Sequence, residues 1–448
     1  MSNRRDPTMA HDDHCECSST PTNPNEAFTR RAFLQKGLVM ISAASTVPLF
    51  LQRSAFGLQN PFDVMLTSSI AGVPEDRVLV VVQLGGGNDG LNTVVPWEND
   101  HYYRNRPGLN IPTSQVLKFS GEADGYGLHP NLDDLMALHD EGLLATIHGV
   151  GYPNPNRSHF TSMDIWHTAD PERPNGHGWL GRYFDAACAG TPDPNIGIAI
   201  GREAPTAMTG KDVTAVSFET PALFQWMGEE VEGTLEKPYD EVNRAGELQG
   251  VDPDSQLGFL TRTALDAQVA SDQILNAVRR PTGAQYPGSA LAQQLQMVAA
   301  MIAGGLPTRV YYVTLGGFDT HAGQAGTHAN LLRQLGSSMK AFYDDLKAQG
   351  NADRVLTMTF SEFGRRVRQN ASAGTDHGTA APMFLMGPMV KPGVHGKHPS
   401  LTDLDAGDLK FTLDFRSVYA TILESWLKAD SRRILSGTFR PASILNVK

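Results

Sequence analysis

Five short clusters in the sequence carry side chains that could do chemistry. They are Gly85-Gly-Gly-Asn-Asp89-Gly90, Asn156-Arg157-Ser158-His159, Gly316-Gly-Phe-Asp319-Thr-His321, Ser361-Glu362-Phe363-Gly-Arg365-Arg366 and Asp376-His377-Gly378. Carboxylates and imidazoles gathered at one place are what a divalent-metal site requires, because oxygen and borderline nitrogen donors suit zinc, manganese or similar ions. Each cluster also has a plainer reading. Asp89 and Asp319 could cap turns, Ser158 could cap the helix running through Trp166, Glu362 could pair with Arg365 or Arg366, and His377 could be a loop histidine. Gly85, Gly87 and Gly90 fit the spacing G-x-G-x-x-G, but no convincing helix or later acidic ribose ligand follows them. A sharp turn beside Asp89 explains these glycines better than a nicotinamide site does.

What must hold the clusters together is legible as a sheet. Apolar, β-branched runs at 77–84, 143–148, 309–315, 354–360 and 382–386 predict strands buried on both faces, with a shorter one at 196–200. His148 lies inside such a run and reads as a core histidine. Leu291, Leu295, Val298 and Ile302 predict a helix before the third run, and Leu335, Met339, Phe342 and Leu346 another before the fourth. Strands alternating with amphipathic helices predict a doubly wound, mostly parallel α/β sheet with helices on both faces. In such a sheet ligands gather outside the carboxyl ends of the strands, where four clusters fall directly after strands and the fifth precedes the last one. The stretch 200–288, polar and weakly periodic, reads as an insertion or cap.

The N-terminus decides what belongs to the fold. Thr29-Arg30-Arg31-Ala32-Phe33-Leu34 precedes a modest apolar stretch from Gly37 to Leu51, interrupted by Ser, Thr and Pro48. An arginine pair before a hydrophobic region of this kind marks the twin-arginine pathway, which carries folded proteins out of the cytoplasm. Residues 1–57 therefore read as signal peptide and leader, and 58–448 as the exported domain, periplasmic or extracellular. The stretch falls short of the roughly 20 residues that span a bilayer, so no membrane span is expected in the mature chain. Cys15 and Cys17 lie in the leader, leaving Cys188 without an internal disulfide partner. The chain holds 37 basic and 48 acidic residues, a net charge of −11, with no basic run, which argues against nucleic acid as a partner.

Taken together, the leader, Gln83-Leu-Gly-Gly-Gly-Asn-Asp-Gly-Leu-Asn-Thr-Val-Val-Pro96, Ser158-His159-Phe, Gly178-Trp-Leu-Gly-Arg182, Tyr286-Pro-Gly-Ser, Gly316 to His321, Ser361 to Arg365 and Thr375-Asp-His-Gly-Thr379 resemble the domain-of-unknown-function 1501 family of exported bacterial proteins. That family is in turn similar to the alkaline phosphatase and sulfatase superfamily. The resemblance implies an alkaline phosphatase-like fold, divalent metal ions (zinc, manganese or calcium) and a serine nucleophile acting on phosphate or sulfate esters. It implies Asp89, Asp319, His321, Glu362, Asp376 and His377 as metal ligands, Ser158 as nucleophile, and Arg157 or Arg365 as neutralisers of developing charge. Phe363 stands where the superfamily has a histidine, so a missing nitrogen would have to come from His377 or His159. Expected partners are a small-molecule or polysaccharide ester and, during export, the twin-arginine translocase. Two other readings stand beside this one: a non-catalytic envelope or binding protein that keeps the fold, and a redox enzyme loaded before export.

Overall fold

A computed structural model describes residues 76–119, 125–172, 176–187, 194–220, 273–279 and 283–447. The twin-arginine leader and most of the expected 200–288 insertion lie outside the described residues. Among the described residues no helix is long and apolar enough to cross a membrane.

Nine strands form one sheet: β1 (Val78–Leu84), β2 (Leu144–Gly151), β3 (Gly197–Ile200), β4 (Val216–Phe218), β5 (Val310–Leu315), β6 (Val355–Phe360), β7 (Ala381–Met386), β8 (Gly393–His395) and β9 (Leu413–Asp414). Their spatial order is β8-β2-β7-β6-β1-β5-β3-β4, with β9 paired to β2. All five long runs read from the sequence form strands, and β1, β3, β4, β5 and β6 are parallel neighbours. Only β7 runs antiparallel, against both β2 and β6. That reversal has a consequence for the site: the start of β7 lies at the same sheet edge as the ends of β1, β5 and β6.

Period-two alternation along β1 divides the core into two layers. Leu79 and Val81 face one, with α3 (His159–Thr168), α4 (Trp179–Ala187) and α7 (Phe415–Thr421); Trp166, Trp179 and Tyr419 are buried there. Val78, Val80 and Val82 face the other, with α2 (Asp133–Asp140), α5 (Ala290–Ala303) and α6 (Gln324–Ala348). The helix expected before β5 begins at Ser289, whose hydroxyl accepts from Ala292 N at 3.2 Å. The one before β6 buries Leu335, Met339, Phe342 and Leu346 along one stripe. A shorter helix, α1 (Asp100–Asn105), precedes Arg106 in the loop region after β1.

Several histidines are buried in this core. Burial drives the His148 ring on β2 down to about 3, and drives His129, His167, His328 and His398 to about 4. In the unfolded chain each would titrate near 6.5, so between about pH 6.5 and 4 the unfolded state binds more protons than the folded one. Stability is therefore expected to be full above pH 6.5 and to fall as the pH drops towards 4, by on the order of 3 kcal/mol per ring. Denaturant midpoints measured across that window test this. His148→Phe, which keeps a ring but cannot titrate, should make the decline shallower; a flat profile in the parent protein would contradict the assignment.

Candidate metal centre

The site grows out of the three glycines after β1. Gly86 and Gly87 have φ of +115° and +78°, a region that side chains rarely enter, and a Cβ on Gly86 would lie 2.4 Å from the backbone nitrogen of Asp319. This conformation turns the carbonyls of both glycines towards Arg365. The Arg365 guanidinium is buried and donates to Gly87 O at 2.7 Å, to Thr375 O at 2.9 Å, to Phe318 O at 3.0 Å and to Gly86 O. It also donates to Asp319 Oδ1 at 2.8 Å. Arg365 was expected to face a substrate. Its nitrogens are instead committed to backbone and to Asp319, so it positions the carboxylate, and no part of it is left to neutralise an ester.

Around Asp319 three imidazoles converge. His321 Nε2 lies 3.0 Å from Asp319 Oδ1, His377 Nε2 3.1 Å and His159 Nε2 3.5 Å. His321 Nε2 and His377 Nε2 are 2.8 Å apart. The donor atoms of His159, Asp319 and His377 lie within 4.8 Å of one another, and His321, more exposed than the other two imidazoles, lies within 3.0 Å of both Asp319 and His377. Although partial burial pushes the Asp319 carboxyl up, its bonds with Arg365 and His377 hold it at about 2, so it is ionised at any ordinary pH.

The outer nitrogens decide what the inner ones can do. His159 Nδ1 faces Glu362 Oε1 at 2.8 Å, His377 Nδ1 faces the Arg157 carbonyl at 2.7 Å, and His321 Nδ1 faces Asp376 Oδ1 at 3.4 Å. Each outer partner is an acceptor, so the neutral rings carry their protons on Nδ1 and turn Nε2 lone pairs inwards. Lone pairs facing one another and a carboxylate repel unless a cation lies among them. His159 Nε2, moreover, is buried with no hydrogen-bond partner among the described residues. Zinc–nitrogen bonds of about 2.0–2.1 Å set neighbouring ligand atoms about 3.3 Å apart, and the separations of 2.8 to 3.5 Å here bracket that value. The donor set fits a divalent cation.

The expected ligands therefore sort into two shells. Asp319, His321 and His377 come together as the sequence suggested. Glu362 is buried, accepts from Gly86 N at 2.8 Å and Ser361 Oγ at 3.1 Å, and orients His159 instead of joining the donors. Asp376 accepts from Asn370 at 3.1 Å, a bond that lowers its carboxyl's pKa, and orients His321. His159 was considered only as a substitute nitrogen, yet it stands among the donors that could share one ion. Its signal in the sequence was its place directly after Ser158 at the end of a strand loop. Phe363, in the position where a histidine was expected, lies against the His159 and His377 rings with centroids 4.9 and 4.7 Å away.

Asp89 is placed elsewhere. Its Oδ2 meets Arg106 Nη1 at 2.5 Å and also accepts from Gln324, all of them buried. Desolvation opposes the charge, but Arg106 wins and the carboxyl's pKa is lowered. Arg106 spends its other donors on Asn92 Oδ1, Val367 O and Arg366 O. With an arginine at its carboxylate and no grouping of metal donors around it among the described residues, Asp89 anchors the loop after β1 and is not a ligand of the cluster. Sequence reasoning missed Arg106 because its partner lies 17 residues earlier, with no periodic pattern linking them.

Ser158 is exposed at the first turn of α3, where its side chain makes no capping bond; its own N–H donates to Asn156 Oδ1 at 2.8 Å. Arg157 is partly exposed and pairs with Asp408, a buried carboxylate that Arg366 approaches to 3.5 Å. Burial pushes the Asp408 carboxyl up while Arg157 opposes that rise.

A doubly wound α/β sheet with a histidine-rich candidate metal site at its carboxyl edge is thus the class that fold and site define. Residues 76–438 match the family described as Protein of unknown function (DUF1501), and the chain belongs to that family. No curated protein matches it in sequence. Among solved structures it is similar to the PsFucS1 sulfatase from Pseudoalteromonas sp., at 9% identity over 82% of this chain and 73% of that one, TM-score 0.34. It is similar also to the C-terminal periplasmic domain of EcEptC from Escherichia coli in complex with Zn, at 9% identity over 70% and 74%, TM-score 0.32. A phosphonate monoester hydrolase from Silicibacter pomeroyi matches at 10% identity over 81% and 76%, TM-score 0.31. Likenesses of this size add nothing about activity.

The separation of Asp89 from the cluster can be checked directly. Arg106→Ala would strand a buried carboxylate and should cost about 3–5 kcal/mol in denaturant unfolding. Asp89→Asn should leave zinc binding within a few fold of the parent, as read by competition with a chromogenic chelator. Complete loss of zinc binding in a folded Asp89→Asn protein would return Asp89 to the ligand set.

Proposed function

We propose that this chain is an exported, metal-dependent hydrolase of phosphate or sulfate esters, delivered across the membrane by the twin-arginine translocase and working in the periplasm or outside the cell. The observation that carries the metal dependence is the convergence of three inward Nε2 atoms on an ionised Asp319, each ring fixed from behind by an acceptor. His159, Asp319 and His377, with His321 beside them, would hold the ion. Imidazole-rich donors favour zinc over manganese, and calcium least of all. The chemistry such an ion supplies when bound is Lewis acidity towards an ester oxygen. The motif resemblance to the alkaline phosphatase and sulfatase superfamily supports the choice of ester.

The chain's own residues have distinct parts in this reading. Arg157, half exposed and next to Ser158, attracts the anionic ester, with Arg366 as the second exposed guanidinium sharing Asp408. Ser158 is the nucleophile: its hydroxyl is exposed and is not spent on capping α3. As Ser158 Oγ bonds to phosphorus or sulfur, the ester's alcohol leaves and takes up the serine proton. Water then cleaves the covalent ester and frees Ser158. Glu362 and Asp376 keep the imidazoles oriented throughout.

Elemental analysis of the purified mature protein should find zinc near one per chain, and should find it lost in His377→Ala and Asp319→Ala. Glu362→Gln should weaken zinc affinity about 10- to 100-fold without unfolding the protein. Aryl phosphate or aryl sulfate should turn over with zinc restored, and Ser158→Ala should abolish turnover while keeping the zinc. Trace metal and no turnover with zinc, manganese or calcium would leave the non-catalytic envelope protein as the better account.

A further inference from the structure

Beside the metal centre lies a cavity of about 300 Å³ bounded by Tyr152, Trp166, Phe363, Leu409 and Phe411, with Thr379 at its edge. We propose that this cavity receives the organic group of the ester and that the group is an aromatic ring, making the substrates phosphate or sulfate esters of phenols. This inference rests on the hydrolase reading for the word substrate, but the cavity's preference for a phenol stands or falls by itself.

Position makes the first part of the argument. Phe363 forms a wall of the cavity and also packs on the rings of His159 and His377, at 4.9 and 4.7 Å between centroids. Thr379 follows His377 by two residues. A ring seated in the cavity would therefore share Phe363 with the His159 and His377 rings. Phe411, one of the two large hydrophobic side chains exposed among the described residues, borders the cavity. An exposed phenylalanine at a cavity mouth is satisfied by an apolar ligand that removes it from water.

Chemistry makes the second. The volume lies at the lower end of small-ligand pockets, room for one ring with its substituents. Its walls offer aromatic faces, and ring pairs gain from offset or edge-to-face contact. Trp166 is buried and stacked on Phe360 and Phe415, at 5.4 and 4.3 Å, and its Nε1 has no hydrogen-bond partner among the described residues. That nitrogen is itself closed off, so Trp166 lends the cavity ring surface and no donor. The polar lining residues are Asn154, Thr379, Asp405 and Lys410, and the Tyr152 hydroxyl is already bonded to Ser162; Tyr152, Trp166, Phe363, Leu409 and Phe411 supply the aromatic and apolar surface that a ring prefers.

The test uses the full mature chain stripped of metal by chelator, so that neither zinc nor catalysis enters the reading. Phenol and methyl glucoside are titrated separately, by calorimetry and by tryptophan fluorescence. Phenol should bind and perturb the fluorescence, and the glucoside should not. Phe411→Ala, a change at a side chain already 36% exposed and so tolerable to the fold, should weaken phenol binding about five- to tenfold. Trp166→Phe, which trims aromatic surface from the wall, should weaken phenol binding as well. Equal binding of phenol and glucoside, or phenol affinity unchanged in both variants, would overturn the proposal. Phenol binding by a protein that holds no zinc would keep the cavity and reject the hydrolase; zinc and turnover without phenol binding would do the reverse.

Discussion

A single buried guanidinium holds the functional edge of this protein together. Isolated in a protein interior, Arg365 would be strongly destabilising, and it persists only because its donors are taken up by the carbonyls of Gly86, Gly87, Phe318 and Thr375 and by Asp319. These acceptors belong to the loops after β1 and β5 and before β7, while Arg365 itself follows β6. The positive φ of Gly86 and Gly87 is the backbone's side of the arrangement, since no other conformation on display here aims both carbonyls at one cation. Charge balance then falls to Asp319, which reaches from that guanidinium to the imidazoles.

Beneath this edge a second buried ion pair does related work. Arg106 and Asp89 fix the loop after β1 from below, with Gln324 passing the constraint to Thr375 at 2.6 Å. Asn88 extends it to His328 at 2.9 Å and to Ser361 at 2.9 Å. The convergent imidazoles and Asp319 are thus the outermost members of a polar network that runs through the carboxyl ends of three strands. Networks of this kind are stabilising when filled and costly when one member is lost.

Much of this was readable from sequence because the signals were periodic. Apolar runs gave β1, β2, β5, β6 and β7, and the spacing of Leu335, Met339, Phe342 and Leu346 gave α6. The clustering of Asp319, His321 and His377 followed from the rule that loops meet beyond strand ends. Three things were not readable. The antiparallel sense of β7, which brings His377 to the right edge by its N-terminal end, leaves no mark on the hydrophobic pattern. Nor does pairing between side chains far apart in the chain, so Asp89 with Arg106, and Arg365 with backbone carbonyls, carried no sign of their buried partners. And Glu362 and Asp376 have the same chemistry as Asp319; only geometry separates a carboxylate facing the inner nitrogens from one that steadies a histidine from behind.

The ligands of the centre come from segments widely separated in the chain, and the Arg157 carbonyl that fixes His377 lies 220 residues from it. No stretch of the newly made polypeptide offers two of these imidazoles and the carboxylate in close succession with the needed orientation. The sheet has to close, with β7 slotted between β2 and β6, before the pocket of donors exists at all. A cation that needed this full set of donors would therefore find it only where β2, β5 and β7 have already been brought together in the sheet.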